Sequence, residues 1–331
     1  MRAIDVHAHL SPKIMWDTLD SGRDWYGVHL EPDDNGQKWL VTGEHRTGPI
    51  TPKSRFISDQ RIRDMDSMGV KMQVVSVAPV LYNYHLDPVL GVQASMEVND
   101  EISMMVRDHP DRFAGLATLP MQDVESAVVE LNRAVTQLGL KGAEIDTSVN
   151  NHNWDEPQYL PLFDAAQELG ALLFFHPSNS PVWQRTTRYY LGNTIGFTLE
   201  DTLAVAILIF GGVLERYPDL KVCVAHGGGP ACFGAGRMDR GWQVRPEARI
   251  HIQKPPSTYL RRLFYDCVVH SEAALRLMIS TVGADRVVLG SDWPFDMGLD
   301  SPVEWINGLD FLTSAEKDLI LWENLEGLLG I

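Results

Sequence analysis

Residues 4–9 read Ile4-Asp5-Val6-His7-Ala8-His9 (IDVHAH). On an extended strand, residues i and i+2 point the same way. His7 and His9 can therefore aim two imidazoles at one point from a rigid base. Alone, such a pair is what many polar strand ends carry. Three further apolar runs end in the same manner. ALLFF (171–175) runs into His176-Pro177, KVCVA (221–225) into His226-Gly227-Gly228-Gly229, and RVVLG (286–290) into Ser291-Asp292-Trp293-Pro294. A buried His or Asp that follows an apolar run needs a partner, and four such ends supply partners for one another.

Working outward, eight short β-rich runs fall at 3–6, 72–78, 113–119, 142–146, 171–175, 221–225, 263–268 and 286–289. They are continuously apolar, as expected of strands covered on both faces. Helical patterns lie between them. Residues 60–68 stop at Gly69, and 124–138 place Val128, Leu131, Val135 and Leu138 on one face before Gly139. Residues 199–217 and 272–282 read similarly. Eight strands, each followed by a helix or a long connection, predict one α/β domain over 1–331, a (β/α)8 TIM barrel. No glycine-rich phosphate loop follows any strand, which counts against a doubly wound open sheet. Residues 11–58 break the rhythm. They carry Trp16, Trp25 and Trp39 without a clear period, and read as an insertion after the first strand, over the barrel mouth.

Composition narrows the function. The chain has 331 residues, 44% of them hydrophobic, and a net charge of −16. That charge disfavours nucleic acid and anionic membrane surfaces as partners. An anionic small substrate remains compatible if arginines receive it locally. No apolar stretch reaches membrane-spanning length, and the opening run is too short and too quickly polar for a signal peptide. Cys223, Cys232 and Cys267 lack C-x-x-C spacing. They read as reduced thiols of a cytoplasmic protein.

In a barrel, the carboxyl ends of the strands share one face, where catalytic residues sit. Three imidazoles and one carboxylate, His7, His9, His176 and Asp292, suit one Zn²⁺, with Mn²⁺ or Fe²⁺ as alternatives. His226 is then free as acid or base beside the metal. The glycines after it fit either a close approach to ligand or a plain strand-to-helix turn. The fourth strand offers Glu144 and Asp146 but no lysine, which favours one ion over two.

D-x-H-x-H, H-P, A-H-G-G-G and S-D-W-P-F, at the ends of strands one, five, six and eight, resemble the amidohydrolase superfamily. More narrowly they resemble its decarboxylase branch, typified by 2-amino-3-carboxymuconate 6-semialdehyde decarboxylase. Residues 61–70, 112–122, 211–226 and 285–292 match as well, so the resemblance spans nearly the whole chain. It implies a (β/α)8 barrel, one divalent metal, usually Zn²⁺, and action on an aromatic or muconate-type carboxylic acid. His7, His9, His176 and Asp292 match the metal ligands, His226 the catalytic histidine, and Phe295 an aromatic residue of the substrate pocket. Arg237, eleven residues past His226, matches an arginine that reaches into a neighbouring subunit's site, which implies a homodimer. A second arginine of the family's insertion has no counterpart at Thr47-Gly48-Pro49, leaving Arg46 or Arg55 to stand in. Ser178 replaces a tryptophan. The resemblance therefore implies a non-oxidative decarboxylase in aromatic-compound catabolism, with His226 and Asp292 handling protons. The alternative is a hydrolase of ring-fission products, or a related hydratase or lactonase, that uses a metal-activated water.

Overall fold

The first barrel strand, β1 (Ile4–Leu10), is buried along its whole length. It outruns the predicted 3–6 and carries both histidines. The computed structural model describes residues 2–43, 45–55, 58–179 and 182–331; positions 44, 56 and 57 of the 11–58 segment lie outside the described residues. Three short strands follow in that segment, β2 (His29–Pro32), β3 (Lys38–Thr42) and β4 (His45–Thr47), paired antiparallel in chain order. Seven more strands complete the chain: β5 (Met72–Val77), β6 (Phe113–Gly115), β7 (Gly142–Ile145), β8 (Leu172–Phe175), β9 (Lys221–Val224), β10 (Phe264–Asp266) and β11 (Val287–Val288).

β1 and β5 to β11 form a closed parallel ring. β1 pairs with β5 and β5 with β6, while β7 through β11 pair in sequence order. β6 joins β7 through the Ala117–Ala143 bridge. The ring closes where the Val6 amide donates to Leu289 O at 2.9 Å and the His9 amide to Trp293 O at 2.7 Å. Register slips by one residue between Asp5 and Ala8 of β1. The result is a bulge at Val6 and His7, a device that commonly re-aims side chains beside active sites.

Inside the ring Ile4, Val6, Val74, Leu116, Phe174, Cys223 and Val288 form an apolar floor, capped by Leu325 and Leu328 of the last helix. A larger apolar layer packs the surrounding helices against the outer face of the strands. The helices read at 60–68 and 124–138 are Ser58–Ser67 and Val124–Thr136. The one read over 199–217 is three pieces. A π-helical turn, Gly192–Phe197, continues into Thr198–Phe210, and Gly212 (φ 78°) separates that from Val213–Arg216. By length and composition alone Gly192–Phe210 could cross a membrane. Here it buries Ala204, Val205, Leu208 and Ile209 together with two carboxylates, Glu200 and Asp201. It packs as a core helix of the barrel.

Candidate metal centre and active-site cleft

Each functional side chain arrives at the carboxyl end of a strand. His7 and His9 come from β1, His176 follows β8, His226 follows β9, and Asp292 follows β11. One ligand atom from each of His7, His9, His176 and Asp292 lies within 4.8 Å of the others, and all four residues are buried. Every imidazole is held by its outer nitrogen: His7 Nδ1 by Asp266 Oδ2 at 2.6 Å, His9 Nδ1 by Val77 O at 3.3 Å, and His176 Nδ1 by Pro177 O at 2.9 Å. With Nδ1–H donating outward, each Nε2 presents a lone pair inward.

Those three Nε2 atoms and Asp292 Oδ1 are buried and have no hydrogen-bond partner. Asp292 Oδ1 sits 3.2 Å from His7 Nε2 and 3.3 Å from His9 Nε2. Four converging acceptors repel one another unless a cation joins them. Burial opposes charge on His7, yet Asp292 and Asp266 hold that imidazole well above its ordinary range. Burial and the neighbouring His7 and His9 push His176 well below its own. The Asp292 carboxylate, despite burial, is held well below the usual carboxylate range by His7 and His9. The residues fit a divalent ion with nitrogen and oxygen ligands. Among the described residues this is the one cluster with such geometry.

A second ring of contacts fixes the ligands. Asp266 Oδ1 accepts the Gly227 amide at 2.9 Å and the Val268 amide at 3.0 Å. Asp5 accepts Ser291 N at 2.9 Å, Ser291 Oγ at 2.6 Å and Gln73 Nε2 at 3.0 Å, which ties β1 to the turn bearing Asp292. Arg61 donates to Gln73 Oε1 and to His9 O, and its guanidinium lies 4.2 Å over the Trp293 ring. Gly290 is required here: a Cβ at that position would stand 2.9 Å from Asp266 Cβ and 3.1 Å from His7 Cβ.

His226 stands beside the cluster without joining it. Its ring centroid is 4.9 Å from that of His176 and 5.4 Å from that of His7. Its Nδ1 pairs with Asp201 Oδ2 at 3.0 Å. With Asp292, Asn193, Thr198, Val268 and Met297 it lines a cleft of about 290 Å³. His226 (φ 50°) and Asp292 (φ 61°) both adopt left-handed backbone. Such conformations cost about 1–2 kcal/mol each and persist where the surroundings over-determine them, often at functional sites. The turn after His226 itself requires its glycines. A Cβ on Gly229 would meet Thr198 O at 2.0 Å, and one on Gly228 would meet the Tyr265 ring at 2.7 Å.

Phe295 joins the site, with its ring 5.3 Å from His9. The arginines do not gather there. Arg46 lies over the Trp39 ring at 4.9 Å. Arg55 pairs with both oxygens of Asp20 at 2.8 and 3.1 Å and covers Trp16. Arg237 is exposed on the helix Ala231–Val244. Glu144 lies under His9, 3.7 Å from its Nδ1, and accepts from Tyr82 OH at 2.6 Å. Asp146 is spent on Thr147 and Ser178. Sequence reasoning missed Asp266, Arg61 and Asp201. A carboxylate inside the apolar run LFYDCV was signal enough for Asp266; the other two sit in helices with nothing to single them out.

A closed parallel barrel with three imidazoles and a carboxylate converging at its carboxyl mouth defines a metal-dependent barrel enzyme. The chain belongs to the amidohydrolase family, whose model matches residues 4–331. It is 34% identical over 332 residues to a 2-amino-3-carboxymuconate-6-semialdehyde decarboxylase of Dictyostelium discoideum, covering 99% of this chain and 91% of that one. Among solved structures, a 5-carboxyvanillate decarboxylase from Sphingomonas paucimobilis superposes with a TM-score of 0.85 at 25% identity, covering 100% of this chain and 99% of that one. A dihydroxybenzoic acid decarboxylase from Polaromonas sp. JS666, solved with manganese and 2-nitroresorcinol, gives a TM-score of 0.83 at 24% identity, covering 99% and 97%. The first two relatives carry the activity class; the third shows the fold.

Proposed function

We propose that this chain is a metal-dependent, non-oxidative decarboxylase of an aromatic or muconate-type carboxylic acid in aromatic-compound catabolism. The carrying observation is the set of four unpartnered acceptor atoms beside a free, carboxylate-paired His226, in a chain similar to decarboxylases along nearly its full length.

His7, His9, His176 and Asp292 would hold one divalent ion, Zn²⁺ or Mn²⁺. When bound, that ion supplies Lewis-acid stabilisation of developing negative charge, a contribution of several kcal/mol. The chain's own groups do the rest. Phe197, Val268 and Met297 give the cleft an apolar wall for a ring or diene, and Phe295 packs beside His9. His226 delivers a proton to the carbon that carries the carboxylate. The bond to the carboxylate then breaks, its electron pair returns to the ring, and CO₂ leaves. Asp292 faces the same cleft and holds charge opposite His226.

The segment 11–58 acts in this reading as a lid over the barrel mouth. Its β3 ends beside the turn after β5, where Thr42 Oγ1 bonds Asn83 Oδ1 at 3.2 Å. Of the two arginines of this segment Arg46, stacked on Trp39, is the first candidate to meet a substrate carboxylate, because Arg55 must first release Asp20. Arg237 serves a second copy in a homodimer; Phe233, on the same helix, is 81% exposed. Three buried free thiols fit a reducing cytoplasm. Residues 1–331 work as one unit.

The test is to incubate the metal-loaded protein with a panel of hydroxybenzoic and muconate-type acids while following CO₂ and organic products together. CO₂ with a single organic product bears the proposal out. Two organic fragments would instead make the chain a carbon–carbon hydrolase.

A further inference from the structure

Asp201 is fully buried on the helix Thr198–Phe210. Its Oδ2 meets His226 Nδ1 at 3.0 Å. Its other oxygen, Oδ1, is buried and bonds nothing. Asp266, a carboxylate in a supporting role nearby, is different: both of its oxygens are engaged, one by His7 and one by two backbone amides. Asp201 has a single task.

The two kinds of imidazole partner also differ in what they permit. His9 and His176 are held by neutral carbonyls. A carbonyl orients an imidazole but does little to offset a charge gained on it. A carboxylate does both, because it fixes the tautomer and stabilises the imidazolium that forms when the ring takes a second proton. His226 is the non-ligand imidazole of the site, and it is the one given a carboxylate reserved for it.

We propose that Asp201 is the positioning residue of the reaction: by accepting Nδ1–H it keeps the His226 imidazole in one tautomer, turns Nε2 to the cleft, and makes Nε2 the atom that hands the proton to substrate. The inference rests on the decarboxylase reading and deepens it. The proton on Nε2 passes to the carboxylate-bearing carbon, which accepts it with a ring π pair. The carbon–carbon bond pair then restores that π bond as CO₂ departs. His226 is left neutral, with Nδ1–H still on Asp201, and a proton from water recharges Nε2. No oxidant or reductant is needed.

The experiment reads the tautomer directly, in zinc-loaded protein carrying ¹⁵N-histidine, with His226 signals assigned by their loss in His226→Gln. In the parent, Nδ1–H is expected. In Asp201→Asn the amide turns its own N–H toward Nδ1, so the Nε2–H tautomer is expected, and Asp201→Glu is expected to restore Nδ1–H. Zinc content stays at the parent level in all three, since His226 is no ligand. In parallel, kcat of Asp201→Asn falls by about 100-fold or more, KM stays within about twofold, and Asp201→Glu recovers part of the loss. Retention of Nδ1–H in Asp201→Asn, or a kcat within about threefold of the parent, overturns the assignment. Should Asp201→Asn fail to fold, Asp201→Ser takes its place, with loss of the fixed Nδ1–H tautomer expected and its persistence contrary. A tautomer that switches in a parent releasing no CO₂ supports the positioning role and sinks the decarboxylase reading, so the two failures are distinct.

Discussion

Arg61 Nη1 donates to the backbone carbonyl of His9 at 2.7 Å from a position wholly shut off from water. Burial brings its guanidinium down to about 9. The same side chain stacks on Trp293, next in the chain to Asp292. One arginine thus clamps the strand bearing two ligands to the turn bearing a third. Arg61→Ala leaves Gln73 and the His9 carbonyl without their donor. The expected loss is about 2–4 kcal/mol of stability, read by urea unfolding of the metal-loaded protein. A loss under about 0.5 kcal/mol, the size of an ordinary surface change, would show the clamp to be idle.

Asp266 holds His7 through a 2.6 Å contact. Partners of this kind tune ligand basicity and orientation, and removing them weakens metal binding by about 10–100-fold. Asp266→Asn is expected to fall in that range in competition with a chelator. Unchanged affinity would place Asp266 outside the metal's support.

Gly290 has no room for a methyl group between Asp266 and His7. Gly290→Ala should push these two apart and cost about 1–3 kcal/mol of stability, with a drop in metal affinity in the same chelator assay. Alanine at parent-like stability and affinity would mean that the close approach is soft.

Glu200 is raised to about 7 by burial and by the neighbouring Asp146 and Asp201 charges, against its hydrogen bond from Thr147. A carboxylate whose folded value exceeds its unfolded value binds protons more tightly when folded. Its contribution is complete below about pH 4.5 and is lost as pH rises through about 7. Asp146, raised to about 6 chiefly by burial, acts in the same direction. Glu200→Gln should therefore flatten the fall in unfolding free energy between pH 5 and 8, by roughly 2–4 kcal/mol. An unchanged slope in urea titrations at the two pH values would remove Glu200 from the account.

Much of the barrel and its metal centre is legible in the sequence. The eight runs are all strands of the ring, and His7, His9, His176 and Asp292 converge as their strand-end positions implied. What stayed hidden has physical reasons. The longest helix, Pro88–Asp108, buries Gly91, Ala94, Ser95, Asn99 and Ser103 among few large apolar residues, so its packed face leaves little hydrophobic periodicity. The run 199–217 hid a break because Gly211-Gly212 reads as an ordinary stop. Asp201 and Arg61 act through contacts 25 and 52 residues away along the chain, and no local pattern reports such a distance. Arg55 looked available because nothing in its own stretch announces Asp20, 35 residues earlier.

Metal content per chain, measured after loading and desalting, probes the core of the account most directly when set beside CO₂ release. The expectation is a single tightly held divalent ion in the parent, its loss in His7→Ala, His176→Ala and Asp292→Ala, and its full retention in His226→Ala, which nonetheless releases no CO₂. A parent that holds no ion, or a His226→Ala protein that loses it, would contradict a four-ligand centre with a separate proton-carrying imidazole.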